Sequence, residues 1–348
     1  MNSNNISDPY HSFNLATFII TYKCPISCPM CFFACGPDRE EVLSKDLALD
    51  VLEEAKDLQI PAIGIAGGEP FFHMVLMREL IKKAASYEMT IIVVTNAYWA
   101  TSQDAALRKL RDLKELGLQR IQISLDDQHQ RSIPIERVAN AIRAATELDF
   151  EDIKLLGSSK GNSEKFKYQL LYLEEFLAVS TVNIDLIDRA RTSHRYFEDQ
   201  EQARYSFDEL EHADSLGLPV KRPGDCLSEM MLDVNGDVYP CCNNFVGRIG
   251  NVYADRLRRI LENLCFRRYF RIVKEDGPFE LARYLDKTQN TNFSKRRYGN
   301  WCELCARMFQ NDRFRDLLTY ECPVTTDDRA DNHCHTTPLM RVLGGHNQ

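Results

Sequence analysis

Residues 24–35 read CPISCPMCFFAC, and they follow the apolar run 15–21. Within this stretch Cys24, Cys28 and Cys31 have the spacing Cys-x3-Cys-x2-Cys. Three thiolates so close in the chain can hold three irons of a [4Fe–4S] cluster and leave the fourth iron open to a small molecule. A zinc site or a structural knot is the alternative, but zinc knots usually pair two Cys-x2-Cys units. The spacing therefore favours the cluster.

The overall composition is that of an acidic globular protein. The chain has 348 residues, a formal net charge of −8 and 44% hydrophobic residues, which suits one large or two smaller domains. The acidic balance gives no electrostatic attraction to nucleic acid. No run approaches about 18 apolar residues, and the polar segment 1–13 lacks the apolar core of a signal peptide. We therefore expect a cytoplasmic protein without nucleic-acid or membrane partners.

Twelve cysteines fall into two groups separated by a cysteine-free stretch. The first group is Cys24, Cys28, Cys31 and Cys35, and the second is Cys226, Cys241, Cys242, Cys265, Cys302, Cys305, Cys322 and Cys334. In a reducing compartment such groups indicate metal sites rather than disulfides. Two groups therefore predict two sites, with Cys35 expected to be a structural thiol beside the first.

Short apolar runs alternate with amphipathic segments in the first half of the chain. The predicted strands are 15–21, 61–66, 90–95, 120–125, 152–156 and 181–187, and the predicted helices are 46–58, 74–87, 102–116, 134–148 and 163–177. Repeated strand–helix units imply parallel strands joined by helical crossovers. Six units are too few to close an eight-stranded barrel, so they predict an open α/β barrel whose ligands bind at the carboxyl ends of the strands.

A second motif follows the second predicted strand, where residues 67–70 read GGEP. Together with the upstream cysteine triplet, this motif resembles the radical SAM superfamily, and the resemblance extends over most of residues 15–312. It implies a partial (β/α)6 TIM-like barrel, a [4Fe–4S] cluster on Cys24, Cys28 and Cys31, and S-adenosylmethionine (SAM) bound to the open iron. In that family, SAM yields a 5′-deoxyadenosyl radical that takes a hydrogen atom from the substrate.

The same resemblance assigns SAM contacts to residues that follow the strands. Met30 would pack near the adenine. The backbone of Gly67 and Gly68 and the carboxylate of Glu69 would bind the methionine amino group. Arg189 would offer its guanidinium to the SAM carboxylate. The ribose and the methionyl carboxylate would also be reached by Thr95, Asn96, Ser124 and Asp126.

Plainer interpretations of some of these residues stay open. Thr95 and Asn96 would equally serve as strand-end caps, and Arg189 as part of a solvated surface pair. His129, close to the fourth strand, would orient the ribose, act as a proton shuttle, or be a hydrogen-bonded structural histidine.

A second site is predicted from MMLDVNGDVYPC, residues 230–241, and from WCELC, residues 301–305. Apolar runs on both sides of Asn235-Gly236 predict a β-hairpin with a type I′ turn. The hairpin would bring two cysteines together, and the late motif would begin a helix. Four thiolates suit a complete [4Fe–4S] cluster, and structural zinc with the same ligands is the alternative. The ligand set is Cys226, Cys241, Cys302 and Cys305.

This second pattern resembles the auxiliary-cluster extension called twitch, a shortened form of the SPASM extension. Cys265, Cys322 and Cys334 are not spaced for a further cluster, so one auxiliary cluster is expected besides the SAM-binding one. The implied division of the chain is a radical SAM barrel over 1–192, a helical linker over 193–217, the twitch-like extension over 218–320 and a flexible tail over 321–348.

The adjacent pair Cys241 and Cys242 indicates the reaction. Neighbouring residues of a strand point to opposite sides, so one thiol is spare, and which of the two binds the cluster stays open. With Cys241 as the ligand, Cys242 would give a hydrogen atom to the opposite face of an α-carbon radical. Cys35 and the segments VVTNAYWA, ISLDDQH and GDVYPCC resemble radical SAM epimerases that convert L-residues to D-residues in ribosomally made peptides.

The sequence thus favours a peptide epimerase that abstracts Hα and returns hydrogen from Cys242. The expected partners are a precursor peptide and an external electron donor resembling flavodoxin or ferredoxin. One alternative is a maturase that cross-links or dehydrogenates a peptide or a small molecule, with the auxiliary cluster as electron acceptor and Cys242 dispensable. A non-catalytic scaffold is the other alternative, and the GGEP segment argues against it.

Overall fold

The computed structural model describes most, but not all, of the chain. The described residues are 13–29, 31–157, 173, 187–188, 205–212, 226–241, 244–265 and 268–311. Three predicted site residues, Met30, Arg189 and Cys242, lie outside them. The same holds for Cys322, Cys334 and the predicted tail 321–348.

Strands and helices alternate in the first part of the chain. The order is β1 (Leu15–Ile19), α1 (Lys45–Asp57), β2 (Ala62–Ala66), α2 (Met74–Ser86), β3 (Thr90–Thr95), α3 (Gln103–Glu115), β4 (Arg120–Ser124), α4 (Ile135–Glu147) and β5 (Asp152–Gly157). Each element begins and ends close to its predicted position. Neighbouring strands pair in parallel, which confirms the predicted α/β partial barrel.

Only the end of the sixth predicted strand is described. There, β6 (Ile187–Asp188) pairs in parallel with β5, and Ile187 lies opposite Leu156. Nearly all of the predicted helix 163–177 and most of the predicted strand 181–187 lie outside the described residues.

Alternate residues of the strands are buried beneath the helices. Ile91 and Val93 of β3 are fully buried, as are Ile121 and Ile123 of β4. Their neighbours in the same strands are less buried. α2 packs against β3, and α4 packs against β4 and β5. The loops at the carboxyl ends of the strands then carry the candidate site, as expected for parallel strands.

The second part of the chain mixes short strands and helices. In order they are β7 (Tyr205–Ser206), α5 (Phe207–Glu211), β8 (Glu229–Leu232), β9 (Asp237–Tyr239), β10 (Gly250–Asn251), α6 (Leu257–Cys265), α7 (Arg268–Glu275), α8 (Pro278–Gln289), β11 (Arg297–Tyr298) and α9 (Trp301–Phe309). α5 falls in the predicted linker 193–217, yet it packs on this region, because Trp301 Nε1 donates to the Leu210 carbonyl at 2.8 Å. None of the described helices has the length and apolar character needed to cross a membrane.

This second part continues the barrel sheet rather than standing apart from it. β8 pairs in parallel with β1, β9 pairs antiparallel with β8, and β10 pairs antiparallel with β9. The strand order is β10-β9-β8-β1-β2-β3-β4-β5-β6. β1 is therefore an inner strand, and Thr17 lies between Met231 and Gly64. The loop that leaves β1 carries the first cysteine group, and β1 lies between β2 of the barrel and β8, a strand of the hairpin. The domain boundaries themselves stay a prediction.

The predicted β-hairpin is confirmed, but its predicted type I′ turn is wrong. That turn needs a positive φ at both Asn235 and Gly236. Only Gly236 has one, at 77°. The Gly236 amide donates to the Asp233 carbonyl at 3.0 Å. The Asp233 side chain also accepts the amides of Asn235 and Asp237. These bonds of Asp233 stabilise a longer loop over 234–236 that ends on a left-handed glycine.

Candidate active site

The cysteines of the first motif lie in one loop after β1. The loop is folded by its own backbone, since the Cys24 amide donates to the Gly36 carbonyl at 3.0 Å. The Cys31 amide likewise donates to the Cys28 carbonyl at 3.0 Å. Cys24 is buried, Cys28 and Cys31 are half-buried, and all three are free thiols. The structure therefore brings the three predicted ligands together, and a donor set of three neighbouring thiols fits a [4Fe–4S] cluster with an open iron.

The thiols of this loop differ in acidity. Burial raises the pKa of Cys24 to about 12. A side-chain hydrogen bond from Cys35 lowers the pKa of Cys31 to about 6. The Cys35 amide adds a second bond to Cys31 Sγ at 3.3 Å. Cys35 is thus buried beside the first site, as expected. Because iron binds thiolates, the Cys31 thiol is better prepared to bind than the Cys24 thiol.

Gly67 and Gly68 let the second motif lie directly on the cysteine loop. The Gly68 amide donates to the Thr21 carbonyl at 2.7 Å, and the Glu69 amide donates to the Lys23 carbonyl at 2.8 Å. A Cβ at residue 68 would lie 2.2 Å from the Lys23 carbonyl oxygen. Gly67 has a φ of 152°, a conformation that side chains disfavour. The glycines are therefore needed for two backbones to meet, and their contact with SAM stays a prediction.

Glu69 is a fully buried link between the ends of β2 and β3. Its Oε1 accepts from Thr95 Oγ1 at 2.8 Å and from the Phe71 amide at 3.2 Å. Its Oε2 accepts from the Asn96 amide at 2.8 Å. Burial raises the pKa of this carboxyl group to about 7. Both oxygens have protein partners, so the predicted contact of Glu69 with the SAM amino group would add to these bonds.

Thr95 and Asn96 are buried at the end of β3 and belong to the same network. Each side chain accepts the backbone amide two residues further on, as a strand-end cap does. Thr95 Oγ1 also accepts from Trp99 Nε1 at 2.9 Å. Asn96 Nδ2 lies 3.6 Å from Cys24 Sγ, which is an N–H···S hydrogen bond to a predicted ligand. Sequence reasoning missed this contact, because no local pattern shows which loops meet. The contacts of both residues with SAM stay predictions.

Asp126, which follows β4, is buried and holds His129 against the cysteine loop. Asp126 Oδ2 lies 2.9 Å from His129 Nδ1, and Oδ1 accepts the amides of Gln128 and His129. Burial lowers the pKa of His129, but hydrogen bonds with Asp126 and with the Cys28 side chain raise it to about 10. His129 is therefore a hydrogen-bonded histidine that reaches a predicted iron ligand. Ser124, the last residue of β4, is half-buried, and its SAM contact and that of Asp126 stay predictions.

The four cysteines of the second site come from segments that the fold brings to one region. β8 and β9 are antiparallel, so Cys226 and Cys241 flank the open end of the hairpin. α9 carries Cys302 and Cys305 near its amino end, and it packs against the turn Asn244–Val246. All four cysteines are half-buried, and this donor set of thiols fits a [4Fe–4S] cluster. Within the described ranges, no three His, Cys, Asp or Glu side chains converge as the ligands of a single ion.

The two cysteine groups adjoin each other. The Phe32 carbonyl of the first loop accepts from Asn244 Nδ2 at 3.1 Å. The Phe32 ring packs against Ala306 of α9. Tyr22, just before the first cysteine, donates to Asp233 of the hairpin at 2.9 Å. These residues are far apart in the sequence, and no sequence signal pairs them.

Two family models match the two parts of the chain. Residues 18–158 match the Radical SAM superfamily, and residues 226–307 match SPASM, described as an iron–sulfur cluster-binding domain. The first range contains the cysteine triplet and the GGEP motif, and the second contains the four cysteines of the second site. A radical SAM domain implies a [4Fe–4S] cluster and SAM, and a SPASM domain implies auxiliary iron–sulfur clusters. A single auxiliary cluster in this chain stays a prediction.

The chain is similar to known proteins in sequence and to solved structures in fold. The "Putative peptide biosynthesis protein YydG" of Bacillus subtilis (strain 168) is 22% identical over 277 residues, which are 74% of this chain and 83% of YydG. GTP 3′,8-cyclase 2 of Pseudomonas aeruginosa is 26% identical over 213 residues, which are 56% of this chain and 61% of that protein. The crystal structure of BtrN in complex with AdoMet and 2-DOIA has a TM-score of 0.47 and 16% identity, and covers 77% of this chain and 89% of BtrN.

Proposed function

Because the chain is an enzyme of the radical SAM superfamily with a SPASM domain, we propose that it converts an L-residue of a ribosomally made peptide into its D-epimer. The observation that supports a peptide substrate is the similarity to YydG, a protein named for peptide biosynthesis, over 74% of this chain. The proposed substrate is therefore a precursor peptide. The proposed electron donor is a protein resembling flavodoxin or ferredoxin.

The cluster and SAM, when bound, supply a 5′-deoxyadenosyl radical, which takes a hydrogen atom from the α-carbon of the substrate. Cys24, Cys28 and Cys31 would hold the cluster. Asn96 and His129 reach two of these sulfurs, and hydrogen bonds to ligand sulfurs help to set a cluster's reduction potential. The GGEP segment rests on the cysteine loop and would position SAM at the open iron. The chain thus orients the reacting atoms and excludes water.

Cys242 is the proposed donor of the returning hydrogen atom. Its neighbour Cys241 is half-buried and lies two residues past the end of β9. In this proposal the alternation of the strand continues through the pair, so that the two thiols face opposite sides. With Cys241 on the auxiliary cluster, the hydrogen of the Cys242 thiol passes to the α-carbon on the face opposite to abstraction. This step leaves a thiyl group on Cys242. One electron from the external donor and one proton from water restore the thiol.

A maturase that cross-links or dehydrogenates its substrate is the second candidate. The contact between the two cysteine groups supports it, because an auxiliary cluster beside the first site could accept the electron of a substrate radical. The similarity to GTP 3′,8-cyclase 2, which extends over 56% of this chain, also supports the second candidate, because that protein is named for a small molecule. Cys242 would be dispensable in this reaction.

The variants Cys242→Ala and Cys241→Ala should differ in iron content. Cys242→Ala should keep its iron and form 5′-deoxyadenosine, but D-residues in the peptide should drop to background because no thiol returns hydrogen. Cys241→Ala should lose about four irons per chain, because an auxiliary ligand is missing. The measurements are iron and sulfide per chain after anaerobic reconstitution, 5′-deoxyadenosine by chromatography, and D-amino-acid analysis of the peptide.

Cys265→Ala is the matched control for loss of a thiol, because Cys265 ends α6 and has no proposed role. It should match the wild type in iron and in product. Full product from Cys242→Ala would contradict the epimerase mechanism and favour the maturase. Bound zinc in the wild type, with iron unchanged in Cys241→Ala, would identify the second site as a zinc site.

A further inference from the structure

A buried carboxylate lies between the two cysteine groups. Asp233 of the hairpin loop is 2% exposed. Its Oδ2 accepts from the Tyr22 hydroxyl at 2.9 Å and from the Tyr239 hydroxyl at 3.3 Å. Its Oδ1 accepts the amides of Asn235 at 2.9 Å and Asp237 at 3.0 Å. Four neutral donors therefore converge on one carboxylate.

The two tyrosines connect this carboxylate to both cluster-binding segments. Tyr22 comes two positions before Cys24, and Tyr239 comes two positions before Cys241. The Tyr22 ring also stacks on Phe33 of the first cysteine loop, with ring centroids 5.4 Å apart. Both hydroxyls donate to Asp233, so one carboxylate holds a tyrosine from each cluster-binding segment.

Among the residues that the structure describes, Asp233 forms no ion pair with a Lys or Arg. Arg39 lies over the Tyr22 ring but is paired with Glu41, and Arg248 is paired with Asp237. A buried charge is screened less by solvent than an exposed one. A negative charge beside an iron–sulfur cluster opposes the addition of an electron and lowers its reduction potential.

We propose that Asp233 is a positioning residue shared by the two cluster sites, which fixes Tyr22 and Tyr239 to each other and holds both clusters at more negative reduction potentials. A low potential at the first cluster favours the reductive cleavage of SAM. The inference depends on the two clusters but not on the reaction proposed above. A failure of peptide epimerisation would therefore leave it untouched.

The test is a redox titration of the reconstituted full-length protein in the absence of peptide. EPR monitors the reduction of both clusters during the titration. Asp233→Asn keeps the shape but removes the charge, so both midpoint potentials should shift in the positive direction. Asp286→Asn is the matched control. Asp286 of α8 is also a carboxylate with four hydrogen bonds, but its partners lie in the segment that follows α8. This control should lose stability without shifting either potential.

Tyr22→Phe is a second variant for the case in which Asp233→Asn does not fold. It keeps the charge of Asp233 but removes one donor that stabilises it, so the first cluster should shift in the negative direction. The opposite signs separate an electrostatic role from a structural one. Equal potentials in Asp233→Asn and Asp286→Asn, or no negative shift in Tyr22→Phe, would overturn the proposal. A shift of the auxiliary cluster alone in Asp233→Asn would also overturn it.

Discussion

Gly68→Ala should prevent assembly of the SAM-binding cluster while leaving the auxiliary cluster in place. The added Cβ would lie 2.2 Å from the Lys23 carbonyl oxygen and 2.6 Å from the Lys23 carbonyl carbon. Backbone atoms cannot rotate away as a flexible side chain can, so the loop must move at the residue that precedes Cys24. The clash should cost about 3 kcal/mol of folding stability. The iron content should fall by about four atoms per chain.

Gly277→Ala is the matched control for this variant. Its Cβ would meet nothing within 4 Å, and its φ of 89° imposes only backbone strain. That strain should lower folding stability by about 1 kcal/mol, and the iron content should stay unchanged. The measurements are iron and sulfide per chain, EPR of the reduced protein and thermal unfolding. A Gly68→Ala protein with both clusters would contradict the close approach of the two backbones.

Glu69→Gln should remove a pH-dependent contribution to folding stability. The folded pKa of Glu69, about 7, lies above its ordinary value of 4.5 because the group is buried. The folded state therefore binds the proton more tightly than the unfolded state does. The stabilisation is complete below pH 4.5 and is lost as the pH rises through 7. A shift of this size corresponds to about 3 kcal/mol.

The experiment compares the wild type with Glu69→Gln between pH 4 and pH 8, with both proteins reduced and free of clusters. These limits enclose the ordinary and the folded pKa of Glu69. The free energy of unfolding is measured by denaturant at each pH. Wild-type stability relative to the variant should fall as the pH rises, by about 3 kcal/mol across the range. Other titrating groups cancel in this difference. A difference that stays constant or rises with pH would show that Glu69 is not held in the buried environment that the structure gives it.

Local patterns in the sequence were sufficient to predict the barrel. The strand at 90–95 has its predicted limits because the run of β-branched residues at 91–94 is a signal that a short stretch of sequence shows. The cysteine triplet and the GGEP motif were also found from local spacing. The type I′ turn was wrong because Asp233 binds the amides of the loop and stabilises a longer connection.

Long-range pairing could not be predicted in this way. The parallel contact of β8 with β1 places Leu15 opposite Glu229, with the whole barrel between them in the sequence. The bond of Tyr22 to Asp233 spans 211 positions. The contact of Asn96 with Cys24 spans 72. Such contacts depend on how the elements pack, whereas hydrophobic periodicity reports only which face of one element is buried.

The most direct test of the proposed epimerisation is the mass of the peptide product formed in deuterated medium. The protein is expressed with a short peptide encoded beside its gene, and the peptide is compared with that from cells lacking the protein. Because a thiol exchanges its hydrogen with solvent, each epimerised residue should gain about one mass unit. A loss of about two mass units would indicate cross-linking or dehydrogenation and would contradict hydrogen return from Cys242.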